Sequence, residues 1–92
     1  MNDFLTARVT IANRRGLHAR AAAKFVKLAG QFSAEIQVNN RGTEVSGLSI
    51  MGLMMLAAGI GSTVEISAEG PDAEAALEAL VQLIADRFNE ER

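Results

Sequence analysis

A chain of 92 residues with 49% apolar content has the size of one compact domain, residues 1–92, and is too apolar to be disordered. It contains no cysteine, which excludes a disulfide framework and a thiolate metal site. The net charge of -2 is uneven: residues 1–45 carry seven Lys/Arg against three Asp/Glu, residues 46–92 two against eight, so the first half can offer a basic surface to a partner.

In chain order, Leu5, Ala7, Val9 and Ile11 alternate on one face of a first strand. Ala19 to Ala29 predicts a helix ending at Gly30 as its C′ residue, with Arg20, Lys24, Lys27 and Gln31 forming one polar stripe. Ala34, Ile36 and Val38 mark a second strand. Asn39-Asn40-Arg41-Gly42 predicts a hairpin turn into a short strand at Thr43–Val45. Ser49 to Leu56 predicts a short helix with Ser49 as N-cap. Val64, Ile66 and Ala68 face one way in the next strand, and Thr63, Glu65 and Ser67 the other. Ala73, Leu77, Leu80, Val81, Ile84 and Phe88 form the apolar stripe of a last helix, capped by Gly70 or Asp72. The order β-α-β-β-α-β-α with half-wet strands predicts an α+β open-faced sandwich, its helices on one face of a four-stranded antiparallel sheet.

His18 is the single histidine and stands immediately before the first helix. Unpaired backbone N–H groups and the positive end of the helix dipole there oppose imidazolium and attract an anion such as phosphate. Neutral imidazole keeps one nitrogen lone pair and can act as a nucleophile, and Arg20 can bind phosphate oxygens. On residue types alone, a histidine before a helix is more often a cap or a surface residue. Ser49, as an N-cap, is also a position where a phosphate would suit the helix and block a partner. Leu48, Ile50, Met51, Leu53, Met54 and Met55 are too many apolar residues for one short helix to bury. They are core, or part of them is an exposed docking patch, with Gly52 serving close approach or local packing. Glu65, Glu69, Glu74 and Glu78 compose no acid–base or metal site, and nothing in the sequence calls for a metal or a cofactor.

Gly16-Leu17-His18-Ala19-Arg20 with Ser49-Ile50-Met51-Gly52-Leu53-Met54, at this separation and over nearly the whole chain, resembles the HPr family, the histidine-containing phosphocarriers of the phosphoenolpyruvate-dependent phosphotransferase system. The resemblance implies that His18 is phosphorylated on Nδ1 by enzyme I and that Arg20 assists. It implies enzyme IIA domains as acceptors, with Ile50, Met51 and Met54 at docking positions. It matches Ser49 to the regulatory serine of HPr kinase/phosphorylase. A stoichiometric carrier of this kind is not an enzyme, and visiting several partners suits a cytoplasmic monomer. Leu48 and the basic Lys24 and Lys27 adjoin the same surface. Many relatives have Pro where Ala21 stands and Lys where Leu48 stands, and a nitrogen-related branch, NPr, shares the pattern.

Two other classes compete. One is a regulatory interaction module switched by Ser49 phosphorylation, with His18 secondary. The other is a small RNA-binding α+β domain, which a pI near 5.3 and the absence of Trp and Tyr argue against. Met1-Asn2-Asp3 does not begin a signal peptide, and Leu48–Ile60, interrupted by Gly52 and Gly59, is too short to span a bilayer, so no membrane insertion is expected.

Overall fold

The computed structural model describes residues 4–90; the Met1–Asp3 segment read above lies outside them. The elements are β1 (Leu5–Thr10), α1 (Ala19–Ala29), β2 (Glu35–Asn40), β3 (Thr43–Ser46), α2 (Ile50–Met55), β4 (Thr63–Glu69) and α3 (Ala73–Ala85), followed by a 3-10 turn, Arg87–Asn89. The sheet runs β1-β4-β2-β3 with every neighbouring pair antiparallel. Its register explains the alternation seen in the sequence. Val9 pairs with Val64, Ala7 with Ile66 and Val38 with Ile66 on the covered face, whereas Arg8 and Asn39 flank Glu65 on the open face. Helix α3 lies on β1 and β4, and α1 packs against α2 and α3. Between the layers sit Ile11, Phe25, Ile36, Leu53, Ile66, Leu80, Ile84 and Phe88, all fully buried. This is the expected α+β open-faced sandwich, and among the described residues no helix is long and apolar enough to cross a membrane.

Local details depart from the expectations. The hairpin turn contains only Arg41 and Gly42, both at positive φ (55° and 89°), the mirror-image turn that matches strand twist. Asn39 and Asn40 belong to β2 instead, and buried Asn40 donates its Nδ2 to the Leu56 carbonyl at 3.0 Å. Gly30 keeps a right-handed φ of -69°, so its tolerance of left-handed backbone is unused. The chain leaves α1 through 3-10-type bonds, Gln31 N to Leu28 O and Phe32 N to Ala29 O. Asp72 occupies the N-cap position of α3 without capping it; its Oδ2 accepts from Ser33 N at 2.7 Å and fastens the α1–β2 loop. Leu5, first residue of an edge strand, stays 42% exposed. Helix α3 stops at Ala85, so Phe88 reaches the core from the turn beyond it rather than from the helix stripe.

Candidate functional site

The loop between β1 and α1 is fastened to the segment before β4. Ile11 N donates to Ser62 O (2.8 Å), Gly61 N to Ile11 O (2.8 Å) and Leu17 N to Ala58 O (3.0 Å). Gly16 permits that approach: its φ is +64°, and a Cβ there would lie 2.4 Å from the Ala58 oxygen. Leu17 is then buried as an anchor, and the next side chain, His18, is left on the rim with 22% of its surface exposed. His18 holds the N-cap position of α1 in extended conformation (φ -76°, ψ 178°), and its carbonyl accepts from Ala22 N at 2.8 Å. The imidazole makes no cap bond. The amides of Ala19, Arg20 and Ala21 therefore have no partner within the helix and sit at the positive end of its dipole.

The imidazole instead meets a residue 72 positions away. Nε2 lies 2.5 Å from Oε2 of Glu90, whose side chain is only 9% exposed. The other carboxylate oxygen accepts from Asn13 Nδ2 at 3.2 Å, and the same Nδ2 donates to Gly16 O at 2.9 Å. Burial pushes the Glu90 carboxyl up, but hydrogen bonds from His18 and Asn13, with the charges of His18 and Lys24, more than offset this and hold it below the usual carboxylate range. An ionised carboxylate only accepts, so Nε2 carries the hydrogen. In the neutral ring the lone pair is then on Nδ1, which has no hydrogen-bond partner among the described residues.

Glu90 reaches this position because the chain turns back sharply after α3. Arg87, Phe88 and Asn89 all have left-handed φ, of 57°, 55° and 61°. For residues other than glycine such backbone costs roughly 1–2 kcal/mol each. It persists because the Phe88 side chain is wholly buried and Lys24 Nζ donates to the Phe88 carbonyl at 2.6 Å.

The remaining candidates fall into two groups. Arg20 and Lys27 are exposed, with no ion pair among the described residues, whereas Lys24 is half-buried over the C-terminal turn. In α2, Ser49 Oγ accepts from Gly52 N at 2.9 Å, as an N-cap should. A Cβ on Gly52 would press on Ser49 Oγ and Val45, so that glycine serves local packing. Of the apolar cluster only Leu53 is buried; Leu48, Ile50, Met51, Met54 and Met55 remain exposed, up to 75–76% at Met51 and Met55. Leu48 thus lengthens an apolar surface. Ile60, also exposed, was not singled out in the sequence. Neither were Glu90 and Asn13, whose only sequence signals are a carboxylate after the last helix and an amide before the glycine.

An antiparallel sheet covered by helices on one face, with a lone histidine on its rim, is the architecture of a class: small phosphocarrier proteins. The family model PTS-HPr, described as the PTS HPr component phosphorylation site, matches residues 5–86, and the chain belongs to this family of phosphotransferase-system phosphocarriers. The phosphocarrier protein HPr of Cupriavidus necator is 54% identical over 81 residues, covering 88% of this chain and 91% of the relative. The phosphocarrier protein NPr of Shewanella violacea is 44% identical over 86 residues, 94% of each chain, so both branches are represented among the relatives. The crystal structure of HPr from Thermoanaerobacter tengcongensis superposes with a TM-score of 0.91 at 45% identity, covering 96% of this chain and 99% of the other.

Proposed function

We propose that His18 takes a phosphoryl group on Nδ1 from enzyme I and passes it to enzyme IIA proteins, the whole chain acting as one stoichiometric carrier domain in the cytoplasm. The observation that carries this reading is the ring's asymmetry: Nε2 is tied to Glu90 while Nδ1 has no partner among the described residues. The Nδ1 lone pair attacks the donor's phosphorus, and the phosphorus–donor bond breaks with its electron pair staying on the donor. The ring keeps its Nε2–H and gains positive charge, which the Glu90 carboxylate faces. The amides of Ala19–Ala21 and the Arg20 guanidinium receive the phosphoryl oxygens. In the onward step the acceptor attacks phosphorus and the P–Nδ1 pair returns to the ring. Because Nε2 has kept its hydrogen, the leaving group is neutral imidazole rather than an imidazolate. An open rim rather than an enclosed pocket suits a group that must be both held and released.

Docking is assigned to Leu48, Ile50, Met51 and Met54, with exposed Lys27 steering an acidic partner, whereas Lys24, expected to share that role, is engaged by the Phe88 carbonyl. Ser49 lies in the middle of that apolar surface. A phosphate there, added by HPr kinase/phosphorylase, leaves the helix start intact and places about two negative charges where a partner must dock. This supports a regulatory role for Ser49 alongside the carrier role of His18.

The test is intact mass after incubation with phosphoenolpyruvate and an active enzyme I, before and after brief acid treatment. The expected result is one acid-labile phosphoryl group, absent in His18→Ala. No gain in the wild type, or an equal gain in His18→Ala, overturns the reading.

A further inference from the structure

Asn13 is fully buried, yet its Oδ1 has no hydrogen-bond partner among the described residues, while its Nδ2 serves both Gly16 O and Glu90 Oε1. Turning the amide over would bring Oδ1 against two acceptors, so the orientation is dictated by the carbonyl and the carboxylate together. A bare buried acceptor is destabilising and calls for an explanation. The same small region holds three consecutive left-handed residues that are not glycine. Both features have one geometric result: Glu90 is brought to the imidazole and gripped from its far side.

We infer that Asn13 is a positioning residue for phosphoryl transfer, acting on His18 only through Glu90. Asn13 fixes one carboxylate oxygen and thereby aims the other at Nε2, which keeps Nδ1 turned outward. This rests on the reading of His18 as the phosphoryl acceptor. Asn13 has no hydrogen bond to the ring among the described residues; Glu90 is the side chain that bridges them, while the other contact of Asn13, Gly16 O, belongs to the loop before His18. Lys24 supports the arrangement from the other end by holding the Phe88 carbonyl, two residues before Glu90.

A double-mutant cycle tests the inference on the full chain, with phosphoramidate as the small phosphoryl donor so that partner docking plays no part. Asn13→Ala and Glu90→Ala should each slow acid-labile phosphorylation by about tenfold, equivalent to ~1.4 kcal/mol. The double variant should be no slower than Glu90→Ala. An Asn13→Ala effect that persists undiminished in the Glu90→Ala background would mean that Asn13 acts through the loop alone, and overturns the inference. No slowing in either single variant overturns it as well. A spectroscopic readout is independent of transfer: the Nε2–H proton of His18 should be visible and slowly exchanging in the wild type. It should be lost in Glu90→Ala and weakened in Asn13→Ala and in Glu90→Gln, whose single amide oxygen cannot accept from both Nε2 and Asn13 Nδ2. An Nε2–H unaffected by Asn13→Ala counts against the inference. If Asn13→Ala does not fold, Asn13→Ser serves in its place, since its hydroxyl can donate to Gly16 O without spanning to Glu90. If the wild type accepts no phosphate while the Nε2–H behaves as described, the carrier reading fails and the clamp stands.

Discussion

Replacing Gly16 with alanine would put a methyl carbon 2.4 Å from the Ala58 oxygen and 2.7 Å from Gly59 Cα, at a residue whose φ is +64°. Neither neighbour is a flexible side chain, so the backbone has to move. Left-handed backbone at alanine costs roughly 1–2 kcal/mol. Separating the two loops breaks the Leu17 N to Ala58 O bond, worth about 1 kcal/mol net. The expected destabilisation is therefore about 2–3 kcal/mol, or a fall in Tm of roughly 8–24 °C for a domain of this size. With no Trp or Tyr in the chain, the assay is urea and thermal unfolding followed by far-UV circular dichroism. Two alanine variants serve as references. Gly42 has a φ of +89° but open space around the missing Cβ, and should lose only the conformational part, about 1 kcal/mol. Gly59 has neither constraint and should stay within ~0.5 kcal/mol of wild type. Since the same contact sets His18 on the rim, Gly16→Ala should also slow phosphorylation under conditions where it remains folded. A Gly16→Ala protein no less stable than Gly42→Ala would refute the steric reasoning.

Other outcomes follow from the same contacts. Ser49→Ala removes the oxygen that accepts from Gly52 N and should lower stability by ~1 kcal/mol, whereas Ser49→Asp keeps a capping acceptor and should stay folded while weakening transfer from enzyme I. Leu53→Ala, at a fully buried position, should cost about 2–5 kcal/mol in urea unfolding. Met51→Ala, at a position 75% exposed, should stay within ~0.5 kcal/mol yet raise the KM of the relay reaction. The Glu90 carboxyl is held below its ordinary range in the folded protein, so the unfolded chain binds its proton first as pH falls. Its contribution to stability is complete above the unfolded value of about 4.3 and is lost as pH drops through the lower folded value. Stability curves of wild type and Glu90→Gln should therefore converge at acidic pH and separate above it.

The strands and α1 were legible because their apolar periods are unmixed. Val64, Ile66 and Ala68 alternate without interruption, and Ala19–Ala29 contains no glycine or proline. His18 was legible because it is the single histidine and stands where a helix begins. Glu90 was not, since nothing in a local window links a glutamate after the last helix to a histidine 72 residues earlier. That link depends on left-handed backbone at Arg87, Phe88 and Asn89, which no glycine announces and which tertiary burial of Phe88 imposes. Lys24 illustrates the same limit. Its spacing places it on a solvated stripe, but the folded chain end covers it and engages its ammonium. The Met-rich segment was legible as an excess of apolar residues, with core and exposed patch left open between them; six residues of α2 turn only Leu53 fully inward.

The most direct measurement is a phosphorus–nitrogen correlation on protein carrying 15N-histidine, phosphorylated by enzyme I and phosphoenolpyruvate. The account predicts that phosphorus couples to Nδ1 of His18 while Nε2 retains its proton. Coupling to Nε2, or phosphate that is acid-stable and attached to serine, would contradict it.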